Sequence, residues 1–138
     1  MAFLIDIEGI DGSGKGTQAA LLQKRLQAEG FRTSLISFPR YKETFFGGRV
    51  ASFLNGQFGT LEQVDPFLVS LLYAGDRLES REWLLEQIAQ HDVVIFDRYV
   101  SSNLAHQGSK KTGAAREELI RAIERIEFEI TSCRGLTW

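Results

Sequence analysis

The chain is poor in the residues that build covalent or metal-based chemistry. It has one cysteine, Cys133, in 138 residues, which excludes an internal disulfide and a cysteine metal cluster and suits the reducing cytoplasm. Its two histidines, His91 and His106, have no sequence partner from which a nucleophilic triad or a metal site follows. No apolar run approaches a membrane span, and residues 1–10 carry Asp6 and Glu8 where a secretory leader is basic, so a soluble, intracellular protein with no membrane association is expected. The net charge is -2, and no arm or helix face concentrates Lys and Arg, which argues against nucleic acid as a partner. Any anionic ligand must therefore be held locally. Repeats and low-complexity stretches are also missing, and the length and the 43% hydrophobic content fit one globular domain with a real core.

What is present is concentrated in residues 3–18, FLIDIEGIDGSGKGTQ. A short run of strand character leads into Gly9, Gly12 and Gly14, then Lys15, Gly16 and Thr17, and then a helix-forming run. Strand, glycine loop and helix start come in the order a phosphate cradle needs. Glycines let the backbone curl with its N–H groups pointing inward, and Lys15 adds a mobile positive charge.

The remaining chain alternates strand and helix patterns. A helix is expected over residues 15–29, with Ala19, Leu22 and Leu26 on one stripe and Gly30 as its stop. Residues 33–38 read as a parallel strand ended by Pro39, residues 40–45 as a loop and residues 47–54 as a short helix. Asp65 followed by Pro66 marks a helix start. The first turns of that helix (Phe67, Leu68, Val69, Leu71, Leu72) are apolar nearly all round, which suggests burial against a second copy as well as its own core, and hence a homodimer. A further helix is expected over residues 80–90. Residues 93–97, VVIFD, are a continuous apolar run ending in an acid, the pattern of a central parallel strand. Residues 97–107 read as a loop and residues 113–130 as a helix with Leu119, Ile120, Ile123, Ile126 and Ile130 as its apolar stripe. The fold class is α/β with a doubly wound parallel sheet, whose ligands sit at the carboxyl ends of the strands.

Several side chains at those ends carry chemistry. Asp97 is placed to hold Mg²⁺ beside the glycine loop, or else to cap the next helix or pair with Arg98. Arg40 and Arg98 lie just past two strand ends, where their guanidinium groups can grip one phosphate; singly, each reads as a surface arginine. Tyr73 and Arg77 share a helix face, either as a stacking plane plus a donor for a flat heterocycle or as a half-buried tyrosine with a snorkelling arginine. Asn103 suits a base edge or a helix cap. Asp11 brings a negative charge into the loop, which is costly unless it is aimed at something such as a sugar hydroxyl.

Taken together, GIDGSGKGTQ from Gly9, FPRY from Phe38, LLYAGDR from Leu71 and DRYVSSNLAHQG from Asp97 resemble, in order and spacing, the thymidylate kinase family of nucleoside monophosphate kinases in the P-loop superfamily. The resemblance spans residues 3–130 and implies a P-loop NTPase three-layer α/β/α fold. It also implies transfer of the γ-phosphoryl group of MgATP to dTMP within dTTP biosynthesis. By resemblance, Asp11, Gly12, Ser13, Gly14, Lys15, Gly16 and Thr17 hold the ATP phosphates. Lys15, Asp97 and Arg98 act in catalysis, and Asp97 and Thr17 serve the Mg²⁺. Arg40 and Arg98 hold the dTMP phosphate, while Phe38, Tyr73, Arg77 and Asn103 surround the thymine and Asp11 reaches the deoxyribose.

The sequence departs from the family pattern at three places. Gly16 stands where the strict phosphate-loop motif has Ser or Thr, and the hydroxyl follows one residue later at Thr17. Gly12 stands where some members carry a loop arginine. Residues 131–138, TSCRGLTW, do not resemble the family continuation, with its lid arginines, further strands and adenine wall. The expectation is a kinase domain over residues 1–130 with a non-family tail, a turnover reduced on the order of a thousandfold by the missing lid charge, and an open, apolar edge at the first strand. Another nucleoside monophosphate or deoxynucleoside kinase and a noncatalytic nucleotide-binding or interaction remnant are the competing readings.

Overall fold

The computed structural model describes residues 1–131; the expected tail beyond Thr131, with Cys133, lies outside the described residues. The chain runs β1 (Phe3–Ile7), α1 (Lys15–Ala28), β2 (Thr33–Ser37), α2 (Phe45–Leu54), α3 (Pro66–Glu79), α4 (Arg81–Gln90), β3 (Val93–Asp97), α5 (Val100–Gly108), α6 (Gly113–Glu124) and a π-helical segment (Arg125–Ile130). It divides into two compact units, residues 1–38 with 81–99, and residues 39–80 with the segment from Val100 onward. No helix among the described residues is long and apolar enough to cross a membrane.

The first unit holds a three-stranded parallel sheet in the order β1-β3-β2. The apolar run of β3 is central and buried from Val93 to Phe96, as its lack of alternation foretells. Ala19 of α1 packs with Val93 and Ile95, and Ile5, Ile7, Leu22, Leu26 and Leu35 close around them. At the start of the sheet, Asp92 accepts the Arg32 N–H at 2.8 Å and its guanidinium at 2.7 and 3.1 Å. Those bonds pull the Asp92 carboxyl down to about 2. Among the described residues β1 pairs on one side only, and Phe3 is 69% exposed; this is the open edge the sequence led us to expect.

In the second unit α2 packs on α3, and α5 and α6 pack on one another and on α3. Thr44 caps α2 by accepting the Gly47 N–H at 2.8 Å, and Glu79 of α3 accepts the next two amides, those of Phe45 and Phe46. These side chains satisfy donors that have no partner inside the helix. Asp65 and Pro66 open α3 as expected, with Asp65 accepting the Phe67 N–H at 2.8 Å.

Two expectations are corrected here. Residues 97–107 are not one loop: α5 forms over Val100–Gly108. Its Ser101, Ser102 and Asn103 are poor helix formers, but Val100, Asn103 and Gln107 recur at helical spacing and are buried, so tertiary packing overrides propensity. Nor does one α-helix continue to Ile130. From Arg125 the hydrogen bonding widens by one residue, with the Thr131 N–H reaching the Ile126 carbonyl at 2.9 Å, and the turn of side chains shifts accordingly. Ile130, counted on the apolar stripe, is 65% exposed, while Glu127 is 0% exposed.

Candidate functional site

The loop after β1 is bent by two left-handed residues, Gly12 at φ 76° and Gly14 at φ 87°. Side chains rarely adopt that backbone, so glycine is required at both. The bend delivers the chain into α1 with Lys15 as its first residue and Gly14 at its cap, leaving the helix-start amides and the positive end of the helix dipole at the loop. Asp11, Ser13, Gly16 and Thr17 are exposed, as are Gly12 and Gly14, and Lys15 is partly buried.

The end of β3 lies beside this loop within the same unit. Lys15 Nζ stands 3.7 Å from Asp97 Oδ1. A Cβ on Gly16 would lie 3.5 Å from Asp97 Oδ2, so the α1 position that faces the carboxylate is Gly16, one residue ahead of Thr17. Asp97 Oδ1 is buried and makes no hydrogen bond. Among the described residues there is no group of three or more His, Cys, Asp or Glu able to cage a metal ion. A single carboxylate with an oxygen to spare, next to a phosphate cradle, nevertheless fits Mg²⁺, which takes one or two carboxylates and completes its shell with phosphate oxygens and water.

Arg98 follows at φ 69°, the one non-glycine residue with positive φ among the described residues. Its guanidinium pairs with the Asp11 carboxylate. The charge that looked costly inside the loop is thereby balanced by an arginine from the neighbouring strand end. Glu8, which the sequence reading passed over, accepts the Tyr99 N–H at 2.9 Å and ties the turn after β3 to the end of β1. Phe38 is buried rather than open, in an aromatic trio with Phe96 and Tyr99 at ring separations of 6.5, 5.7 and 4.7 Å.

In the second unit, Arg40 is held from α3. Its N–H donates to Asp76 at 2.8 Å and its guanidinium to Ser80 Oγ at 3.0 Å. Asp76 also accepts the Thr44 hydroxyl at 2.6 Å. Burial pushes the Asp76 carboxyl above its ordinary range, against the opposing pull of the Thr44 and Arg40 hydrogen bonds. Asp76 is the second residue that sequence reasoning missed; the signal was the first acid after the apolar turns of α3, directly ahead of Arg77.

Tyr73 is half-buried on α3, and Arg77 one turn later is 2% exposed. The snorkelling alternative for Arg77 is therefore corrected: its head group is buried, because Glu127 accepts from Nε at 2.8 Å and from Nη2 as well. Asn103 of α5, also buried, donates to Glu127 at 2.9 Å and to the Ser70 carbonyl at 3.2 Å. Arg77 and Asn103 are thus brought together, through an acid the sequence reading had skipped in favour of its isoleucine neighbours.

A parallel α/β sheet whose first strand runs into a left-handed glycine bend, with a lysine and a strand-borne aspartate facing each other, defines the phosphate-loop class. Comparison with known proteins sharpens this. The family model for thymidylate kinase matches residues 7–123. A thymidylate kinase of Mycobacterium tuberculosis (strain CDC 1551 / Oshkosh) is 34% identical over 125 residues, covering 91% of this chain and 58% of the relative. The Homo sapiens thymidylate kinase is 33% identical over 108 residues, covering 78% and 49%. The solved thymidylate kinase of Candida albicans has a TM-score of 0.67 at 28% identity over 91% of this chain and 55% of that one. That of Ehrlichia chaffeensis has a TM-score of 0.63 at 26% identity, covering 88% and 65%. The chain belongs to the thymidylate kinase family, and it spans about half the length of the curated relatives it matches.

Proposed function

We propose that the chain takes part in transfer of the γ-phosphoryl group of MgATP to dTMP, giving dTDP and ADP, within dTTP biosynthesis in the cytoplasm. The observation that carries this reading is the Lys15–Asp97 pair at the mouth of the Gly12–Gly14 bend. In it, the loop amides from Asp11 to Thr17 and the Lys15 ammonium bind the donor phosphates, and Asp97, with Thr17, serves the Mg²⁺. The ion supplies charge neutralisation between the donor phosphates when bound. Arg98 and Arg40 bind the acceptor phosphate, Arg98 exchanging part of its Asp11 pairing for it. Phe38, Tyr73, Arg77 and Asn103 surround the thymine, Asp11 takes the sugar hydroxyl, and the chemistry is positioning and charge neutralisation with no covalent intermediate. A second copy of the chain is the partner this reading gives to the exposed Phe67, Leu68 and Leu71 of α3.

Ligand-induced thermal stabilisation of the 138-residue chain tests the assignment. We expect dTMP to raise the melting temperature more than AMP, UMP or deoxythymidine does. Lys15→Ala should abolish stabilisation by ATP while leaving that by dTMP in place. Equal stabilisation by all four acceptors would overturn the thymidylate reading, and ATP stabilisation that survives Lys15→Ala would overturn the role of the loop.

A further inference from the structure

Glu127 belongs to no motif, yet it is, with Asp76, one of two acids of its unit that are 0% exposed among the described residues. It lies in the π-helical segment, 0% exposed. Its carboxylate receives a two-pronged fork from Arg77 and the Asn103 amide nitrogen at 2.9 Å. The same nitrogen donates to the Ser70 carbonyl at 3.2 Å. A carboxylate and a carbonyl can only accept, so both demand the nitrogen of Asn103, and the side-chain amide has one permitted orientation. Its oxygen is consequently turned away from Glu127, and Asn103 Oδ1 is buried with no hydrogen-bond partner. A buried acceptor in that condition gains from the arrival of a donor.

We propose that Glu127 is a positioning residue for base specificity: it fixes Arg77 as a donor and Asn103 Oδ1 as an acceptor, and so selects an imide edge. Thymine and uracil offer that complement, a carbonyl oxygen at C4 beside an N–H at N3. Cytosine offers the reverse, an amino donor beside a bare N3 acceptor, and is disfavoured. The inference rests on the reading above, in which Arg77 and Asn103 meet the base, and adds the carboxylate that sets their polarity. Glu127 follows Leu119 and Ile123 at four-residue steps and, like them, is buried, so it continues the inward face of α6 into the π-helical segment.

The test compares binding of dTMP and dCMP to the 138-residue chain and two variants by titration calorimetry. In Glu127→Gln an amide nitrogen, itself a donor, replaces one accepting oxygen and faces either Arg77 Nε or the Arg77 Nη2 and Asn103 nitrogens that share the other. The donors that the carboxylate held can then no longer all be accepted, and Arg77 and Asn103 lose their fixed placement. The preference for dTMP over dCMP should fall by about tenfold or more, since discrimination of this kind depends on paired polar groups. Glu127→Asp keeps an acceptor-only group and should keep the preference while both affinities weaken; a residue that merely supported the fold would shift both nucleotides alike in both variants. An unchanged preference in Glu127→Gln, or a lost preference in Glu127→Asp, overturns the proposal, so the aspartate variant can still refute it if the glutamine variant does not fold. A starting chain that does not distinguish dTMP from dCMP overturns the thymine assignment itself, whereas discrimination intact in the starting chain and in Glu127→Gln overturns only the role of Glu127.

Discussion

Gly47→Ala places a methyl group against the backbone of the segment that presents Arg40. A Cβ there would stand 2.6 Å from the Arg40 carbonyl carbon and 2.6 Å from Thr44 Oγ1, and closer still to the Arg40 carbonyl oxygen. None of these is the loose end of a flexible chain. Residues 40–44 must retreat by roughly 1 Å to restore ordinary contact. The retreat pulls on two bonds to Asp76, from the Arg40 N–H at 2.8 Å and from the Thr44 hydroxyl at 2.6 Å. Two such bonds contribute about 1 kcal/mol each, overpacking adds about 1 to 3 kcal/mol, and the helix propensity of alanine over glycine returns up to about 1 kcal/mol. The net expectation is a loss of about 2 to 4 kcal/mol, which for a chain of this size lowers the melting temperature by roughly 8 to 15 °C. Gly48 is the internal control, because a Cβ there meets only the Tyr41 carbonyl oxygen at 3.8 Å. Gly48→Ala should be neutral or stabilising by up to about 1 kcal/mol. Urea and thermal unfolding followed by circular dichroism measure both variants. A Gly47→Ala chain as stable as the starting protein, or a Gly48→Ala chain destabilised to the same degree, refutes the steric reasoning.

Asp92 and Arg98 give two further expectations. The Asp92 carboxyl lies at about 2 against an ordinary 3.8, so its contribution is fully present above 3.8 and is lost as pH falls through about 2; the melting-temperature gap between the starting chain and Asp92→Asn should close over that window, and a gap independent of pH would refute the Arg32 pairing. Arg98→Gly and Arg98→Ala both give up a side chain that is 17% exposed, but only glycine removes the left-handed strain at φ 69°, so the glycine variant should be the more stable of the two by up to about 1 kcal/mol while dTMP affinity falls in both; a glycine variant no more stable than the alanine one would refute the strain argument.

The sheet was legible in the sequence because its strands are short apolar runs closed by distinct stops, and VVIFD needs no alternation when both sides are covered. The phosphate loop was legible because left-handed backbone demands glycine at Gly12 and Gly14. The helix α5 was not, since its serines and asparagine signal a turn locally and are overruled by contacts distant in sequence. The widened turn after Glu124 was hidden for a related reason, as an apolar stripe at three- and four-residue steps presupposes the α-helical period that the chain abandons there. Asp76 and Glu127 escaped notice because each works on another side chain. The sequence announces a phosphate loop through its glycines, whereas an acid that orients an arginine or an amide is one charged letter among others, as Glu127 is between Arg125 and Glu129.

Strand β3 combines two roles in five consecutive residues: Val93 to Phe96 are buried and Asp97 faces Lys15. Under the proposed function, a mutational scan read out by MgATP binding would therefore mark the entire strand as intolerant and give no hint that the causes differ. Scoring cellular abundance alongside separates them. Polar substitutions at Val94 or Ile95 should deplete the protein, whereas neutral replacements at Asp97 should leave its quantity intact and weaken the binding.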